Sequence, residues 1–275
     1  MPHIPSEIDA VLPAGGRLSG AFAQTAGVEV KALIRFEDRT MLHRTLDTLR
    51  ATGRIGRIAV IGPEETRAEA RAHGADGLLP EGATGPDNIF RGLQWLQGQE
   101  HPTRRVLIVT TDMPFLTPEA ITTYLDACPA HADICVPISE RREFEARFPG
   151  CIRTDTPLRD GKFRLGGLFL LEAESLLRVR PHLEQMFAAR KSDLQMARLI
   201  GLRTAVKFLA RRLTVDDIVA RASEILRCRG AAVREIAPEL AFDIDLPEEY
   251  AYACAYAARM AARQQDSPPL KETTR

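Results

Sequence analysis

The sequence predicts an α/β fold, a three-layer α/β/α sandwich on a mostly parallel mixed sheet, with a helical insertion towards its C-terminal end. Three observations carry this. Short β-branched apolar runs alternate with helical patterns through the first half of the chain, the signature of βαβ units on a sheet covered on both faces. After about residue 140 the rhythm changes to longer strand-like stretches joined by a polar turn. Residues 173–227 then read as almost wholly helical, before two short strands and a closing helix. At 275 residues and 45% apolar composition the chain has ample material for a buried core.

The elements follow in order. "IDAVL" is a buried strand that ends at "PAGGR", and the apolar stretch behind Lys31, "ALIRF", reads as another. "MLHRTLDTLRATG" is a helix that Thr40 caps and Gly53 stops. "RIAVIG" (strand), "EETRAEARAHG" (helix), "DGLLP" (strand), "DNIFRGLQWLQ" (helix) and "RVLIVTTD" (strand) continue the alternation. In "TPEAITTYLDA" Thr117 is the cap, Pro118 occupies the first helical position and Glu119 supports the first turn; "ADICVPI" is the strand that follows. "PGCIRTD", the turn "TPLRDGK" and "RLGGLFLL" read as strands that leave and rejoin the sheet. In the insertion Leu176, Leu177, Leu183 and Met186, then Leu194, Met196, Leu199 and Ile200, recur at helical spacing. No Pro/Gly/Ser linker sets it apart, so residues 1–262 are expected to form one domain. "AAVREI" and "LAFDID" read as short strands and "PEEYAYACAYAARMAAR" as the last helix; the polar tail, residues 263–275, is expected to be disordered.

Composition narrows the function. Lys+Arg and Asp+Glu both number 37, so there is no basic field for a nucleic acid, and none is expected as a partner. No window approaches a membrane span, no leader-like segment opens the chain, and the expected location is the cytoplasm. Five scattered cysteines without a C-x-x-C exclude a thiolate zinc site and a disulfide framework. His3, His43, His73, His101, His131 and His182 form no H-x-x-x-H pair and are read as surface residues.

Chemistry concentrates at strand ends, where open α/β sheets bind ligands. Gly15 and Gly16 lack Cβ atoms, so the backbone can turn sharply and aim N–H groups at a phosphate. The loop fits neither the G-x-x-x-x-G-K-[ST] nor the G-x-G-x-x-G pattern. Lys31, at the far end of that loop, supplies a mobile positive charge beside it. Asp112 stands at the tip of a buried strand, where a carboxylate suits metal ligation. Asp243 and Asp245 are two apart and would share one face of a strand; Asp245 also precedes Leu246 and Pro247 as a helix cap would. Asn88, at a helix start, is either a cap or a reader of a base edge. Arg190, Lys191 and Arg198 are candidate phosphate contacts that read more readily as a solvated face.

In order and spacing, "PAGGR", "KAL", "DNIFRGL", "TTDMPFL", "RLGGLFLL" and "FDIDLPEEY" resemble the MobA-like nucleoside-triphosphate transferase family, over about residues 8–139 and 163–260. The resemblance implies a Rossmann-like, GT-A-like sandwich and Mg²⁺-dependent transfer of a nucleoside monophosphate from an NTP to a phosphorylated small-molecule acceptor, with release of pyrophosphate. Carried over, Ala14, Gly15 and Gly16 would cradle phosphates that Lys31 neutralises. Asn88 and Gly92 would lie near the base, Asp112 and Asp245 would hold the metal, and Gly166 and Gly167 would approach the acceptor. The family pattern usually has an arginine five residues after the first glycine of the pair; Gly20 and Ala21 stand there, leaving Arg17 as the substitute within the loop. A homo-oligomer is compatible with this reading. Two alternatives stay open: a non-catalytic nucleotide- or sugar-nucleotide-binding module, and a GT-A glycosyltransferase, although "TTDMPF" offers one aspartate where the latter uses D-x-D.

Overall fold

The computed structural model describes residues 8–151, 155–189, 201–234 and 236–265. Arg190, Lys191, Arg198, the apolar residues Leu194 to Ile200, His3 and most of the tail lie outside them.

Eleven strands and ten helices are present among the described residues. The main sheet runs β5 (Gly77–Pro80), β4 (Ile55–Gly62), β1 (Ile8–Pro13), β6 (Arg105–Val109), β10 (Leu168–Glu172), β7 (Ile134–Glu140), β9 (Gly161–Leu165), β8 (Thr156–Leu158), and β11 (Gly230–Val233) pairs with β7. β5, β4, β1 and β6 are parallel; β10 slots in antiparallel between β6 and β7. β9 and β10 form strands where "RLGGLFLL" reads as returning to the sheet, but "TPLRDGK", expected as a turn alone, contributes β8, which pairs with β9 at the sheet's edge, and Gly150 and Cys151 of "PGCIRTD" are not strand. Neighbours β4 and β6 lie on opposite sides of β1, so the order reverses there and opens a crevice at the carboxyl ends of β1 and β6.

Period-2 alternation fills both faces. Ala10 and Leu12 of β1 join one core with Leu42, Leu46 and Leu49 of α2 (Met41–Ala51) and Ile121 and Tyr124 of α5 (Pro118–Ala127). Val11 joins the other with Phe90, Leu93 and Leu96 of α4 (Gly85–Gln97) and Leu176 and Val179 of α7 (Ala173–Ala189). Each of the Val, Leu, Ile and Phe side chains among these, fully buried, contributes about 1.5–3 kcal/mol. Thr40 and Thr117 cap α2 and α5 as expected, each accepting a backbone N–H with its hydroxyl. The remaining helices are α1 (Gly20–Ala26), α3 (Arg67–Ala72), α6 (Arg141–Arg147), α8 (Leu202–Leu209), α9 (Val215–Leu226) and α10 (Pro247–Gln265).

Two stretches differ from the sequence expectation. Lys31–Leu33 is a 3-10 turn rather than the start of a strand, and only Arg35–Phe36 pairs, with Arg39–Thr40. "LAFDID" is not a strand: Pro238–Ala241 is a 3-10 turn, and Phe242 to Asp245 belong to no described strand. Phe242 and Ile244 are buried and Asp243 and Asp245 turn the other way, so the alternation is real. Among the described residues no strand lies alongside; Ile244 N–H donates to the Asp112 carbonyl at 3.0 Å. Phe242 packs among Phe115, Phe144, Phe148 and Tyr252, an aromatic cluster that ties this segment to α6 and α10.

Gly92, expected near the base, sits inside the helix–sheet interface. A Cβ there would stand 2.7 Å from Ile61 Cδ1 and 2.7 Å from Val11 Cγ1. The bare Cα is what lets α4 approach β1 and β4. Gly92→Ala is therefore expected to lower stability by about 1–3 kcal/mol through overpacking, read as a fall in the urea midpoint at unchanged m. An unchanged midpoint would show that the interface has slack.

Candidate active site

The first loop leaves β1 at Ala14, whose N–H donates to Ile61 carbonyl, passes Gly15 and Gly16, and detours through α1. Gly27 ends that helix in the left-handed region, at φ 69°. The chain then returns antiparallel: Leu18 N–H donates to Glu29 carbonyl and Lys31 N–H to Gly16 carbonyl, at 2.9 Å each. This clasp explains the long path from Gly16 to Lys31, and it delivers the lysine beside the glycines.

Lys31 Nζ lies 2.5 Å from Asp112 Oδ2 and 2.5 Å from Asp245 Oδ1. Asp112 hangs from the carboxyl end of β6, and Asp245 precedes α10. Glu249, one turn into that helix, takes the backbone N–H groups of Asp245 and Leu246 on Oε2, at 2.6 and 3.0 Å, which fixes the chain just where Asp245 emerges. Burial alone would lower the Lys31 pKa, but the charges of Asp112 and then Asp245 outweigh it and hold the ammonium well above its ordinary value. The stability these pairs contribute is thus fully present below the unfolded lysine pKa, about 10.4, and is lost only as pH rises through the higher folded value. Lys31 is cationic throughout the neutral range.

Oxygens of Asp112, Asp243 and Asp245 lie within 4.8 Å of one another. Asp112 Oδ1 is buried and has no hydrogen-bond partner among the described residues. Three hard oxygen donors, one of them orphaned, fit a hard divalent cation such as Mg²⁺. Lys31 and such a cation would share the same carboxylates.

Other expected site residues fall differently. Arg17 is engaged: its guanidinium forks onto Glu81, Nη2 at 2.5 Å from Oε1 and Nη1 at 3.2 Å from Oε2, while Nη1 also donates to Gly15 carbonyl. Expected as the loop's substitute arginine, it is tied instead to Glu81 and the Gly15 carbonyl, which stiffens the glycine loop. A Cβ on Gly15 would stand 2.4 Å from Glu81 Oε2 and 3.3 Å from Asn88 Nδ2, whereas Gly16 meets only Lys31, at 3.6 Å. Asn88 does not cap α4, since Thr84 does so; its Oδ1 accepts the Gly82 N–H at 2.6 Å and its amide faces Gly15. Gly166 and Gly167 let the chain between β9 and β10 close onto its neighbours: their N–H groups donate to Pro137 and Leu240 carbonyls, and Cβ atoms would meet Leu240 carbonyl oxygen at 2.9 Å and Thr110 Oγ1 at 2.6 Å. They support the floor behind Asp112 and present no open face like that of Gly16.

Glu81 was missed, although it follows "DGLLP" as Asp112 follows "VLIVTT": a carboxylate just past the end of a parallel strand. The histidine reading also needs correction. His101 and His131 are exposed as expected, but His43 and His73 are part-buried and stacked on each other, and the Nδ1 of part-buried His182 is enclosed without a partner among the described residues. The five cysteines are all free, as expected. No described helix is long and apolar enough to cross a membrane.

Comparison with known proteins agrees with this geometry. A family model, the MobA-like NTP transferase domain, matches residues 10–221. A solved hypothetical transferase from Thermus thermophilus shares 32% identity at a TM-score of 0.77, covering 88% of this chain and 98% of that one. The 4-diphosphocytidyl-2C-methyl-D-erythritol synthase of Anaerococcus prevotii superposes with a TM-score of 0.54 at 16% identity, over 92% and 98% of the two chains. A CMP:2-keto-3-deoxy-manno-octonic acid synthetase complexed with CTP does so at 0.52 and 14%, over 94% and 99%. At those identities the last two show the shared fold. No curated protein matches the sequence. A crevice at the strand-order reversal, a glycine loop closed by a lysine, and a family match spanning both lead to one conclusion: the chain belongs to the MobA-like NTP transferase family of nucleotidyltransferases.

Proposed function

We propose that this chain transfers a nucleoside monophosphate from an NTP to a phosphorylated small-molecule acceptor in the cytoplasm. The observation that carries the reading is the Lys31–Asp112–Asp245 constellation beside the Gly15–Gly16 loop. An acceptor phosphate oxygen attacks the α-phosphorus in line; the new P–O bond forms as the bond to the β-phosphate bridging oxygen breaks, and pyrophosphate leaves with that electron pair. A phosphate nucleophile carries no proton that must be removed, which suits a site with no histidine among Lys31, Asp112, Asp243 and Asp245. Catalysis then rests on alignment and charge neutralisation.

In this reading the backbone at Gly15 and Gly16 receives the triphosphate, Arg17 and Glu81 hold that loop in shape, and Lys31 turns from the carboxylates to the phosphates. Asp112 and Asp245 would hold Mg²⁺, with Asp243 adjacent, and the bound ion would supply charge neutralisation at the phosphates. Asn88 lies at the edge of the loop, where a base would be seated. The family match and the likeness to the Thermus thermophilus transferase support the class of reaction, and the phosphorylated acceptor follows from the family resemblance.

Asp245 is expected to matter to the metal more than Asp243, because its carboxylate already shares a cation with Asp112. Asp245→Asn should keep its melting temperature and raise the Mg²⁺ needed for half-maximal pyrophosphate release about tenfold or more, a loss of about 1.4 kcal/mol. Asp243→Asn should move it less. A shift in the Asp243 variant alone would reverse the two assignments, and a shift in neither would remove both from the metal.

A further inference from the structure

A second polar cluster lies on the other side of the α2 layer, built from two helices that the sequence separates by a strand. On α2, His43 and Asp47 are four residues apart; on α3 and its C-cap, Glu69 and His73 are also four apart. At that spacing each pair points to one side of its helix, and α2 and α3 pack so that the two pairs face each other. His43 Nε2 is 2.9 Å from Asp47 Oδ2, and His73 Nδ1 is 3.5 Å from Asp47 Oδ1. The imidazole centroids are 3.4 Å apart, with ring planes inclined at 21°. One ligand atom each from His43, Glu69 and His73 lies within 4.8 Å of the others.

We infer that His43, Glu69 and His73, with Asp47 beside them, form a binding site for a zinc-class transition-metal ion that staples α2 to α3. Two imidazole nitrogens and a carboxylate oxygen are a donor set suited to zinc, and poorer for magnesium, which prefers oxygen alone. A tetrahedral zinc holds its ligand atoms about 3.4 Å apart at bond lengths of about 2.0–2.1 Å, within the spread observed here. Ligation requires each ring plane to contain the ion, so the stacked rings must rotate about Cβ–Cγ. Both side chains keep partial exposure, 20% and 26%, which leaves room for that turn.

The surroundings supply the supporting shell that metal sites need. Thr40, the cap of α2, donates its hydroxyl to Glu69 Oε1 at 2.5 Å, orienting that carboxylate from the opposite helix. Asp47 accepts from Arg39 Nη1 at 3.1 Å as well as from His43, so it can either complete the ligand set or fix an imidazole tautomer. Charge favours the ion: two carboxylates face the two imidazoles, and among the described residues Arg39 is the one Lys or Arg paired to the group. α3 is a short helix, with one buried side chain, Ala70. A metal joining it to α2 would therefore stabilise the part of the layer with least apolar anchorage. The site is independent of the nucleotide reaction, since none of its residues belongs to the Lys31 constellation.

The test uses the full chain and Zn²⁺ alone. Equilibrium dialysis of the wild type, His43→Gln, His73→Gln and Asp112→Asn is expected to give one tight zinc in the wild type and in Asp112→Asn. Each histidine variant should bind at least about tenfold more weakly. Replacing zinc by Co²⁺ should give the visible absorption of a tetrahedral site in the first two proteins only, and Zn²⁺ should raise the melting temperature of the wild type but not of the histidine variants. Circular dichroism confirms that the variants fold; should one fail, the charge-reducing Glu69→Gln takes its place with the same expectation. Zinc affinity equal in wild type and histidine variants, zinc lost only in Asp112→Asn, or no zinc bound by any of them, would each overturn the inference.

Discussion

Asp112→Ala is expected to lower Mg²⁺-dependent turnover by about a thousandfold or more, leaving the melting temperature within a few degrees of the wild type. The size follows from its two roles. Oδ2 holds Lys31 at 2.5 Å, and Oδ1 is the buried carboxylate oxygen without a hydrogen-bond partner among the described residues. Losing a metal carboxylate removes several kcal/mol of charge stabilisation, and about 1.4 kcal/mol is a factor of ten. Stability is spared because Lys31 keeps Asp245, while the Asp112 backbone carbonyl still receives the Ile244 N–H. Initial rates across a Mg²⁺ titration, with a thermal melt beside them, make the check. Wild-type rates in Asp112→Ala would remove this residue from the chemistry, and Asp112→Asn, which keeps the shape and drops the charge, would separate a charge effect from a packing one.

Lys31→Met is expected to act in two opposite directions. Triphosphate affinity should fall about ten- to a hundredfold, since a hydrogen bond to a charged group is worth about 1.5–3 kcal/mol, and turnover should fall further. Metal binding without nucleotide should strengthen, because Lys31 pairs with the very carboxylates that a divalent ion would take. A lysine that merely cross-linked two aspartates would give the second effect alone, and one that merely met phosphates would give the first alone. Calorimetry of Mg²⁺ and of NTP against the variant reads both. Unchanged values for both would show that the glycine loop and its lysine do not work as described.

The parts of this site that could be read in the sequence are those governed by a single strand end. Asp112 was legible as a candidate because a charged residue closing "VLIVTT" stands beyond the sheet's ladder, and the Gly15–Gly16 loop because two missing Cβ atoms at the end of "IDAVLP" free the backbone to turn; the structure leaves Gly16 open and sets Glu81 against Gly15. The three-layer order was visible because apolar period 2 and period 3.6 alternate. What failed depends on contacts between segments. "LAFDID" alternates like a strand, yet it joins no described ladder, and the Ile244 N–H is taken by the Asp112 carbonyl. Gly92 has the composition of a base-site glycine, but its neighbours, Val11 and Ile61, are brought to it by packing. Arg17 was within reach of the phosphates by position, and Glu81, sixty-four residues later, holds it. His43 and His73 read as surface residues because their pairing depends on α2 meeting α3, which spacing along one helix does not show.

The most direct test of the account is phosphorus NMR of the full chain with Mg²⁺, a mixture of NTPs and a panel of small phosphomonoesters. The account predicts pyrophosphate and a nucleoside diphosphate-linked product in equal amounts, from one of the nucleotides and one of the acceptors, with neither formed by Asp112→Ala. Release of inorganic phosphate and a nucleoside diphosphate in place of pyrophosphate, or binding of every NTP with no pyrophosphate from any acceptor, would contradict it.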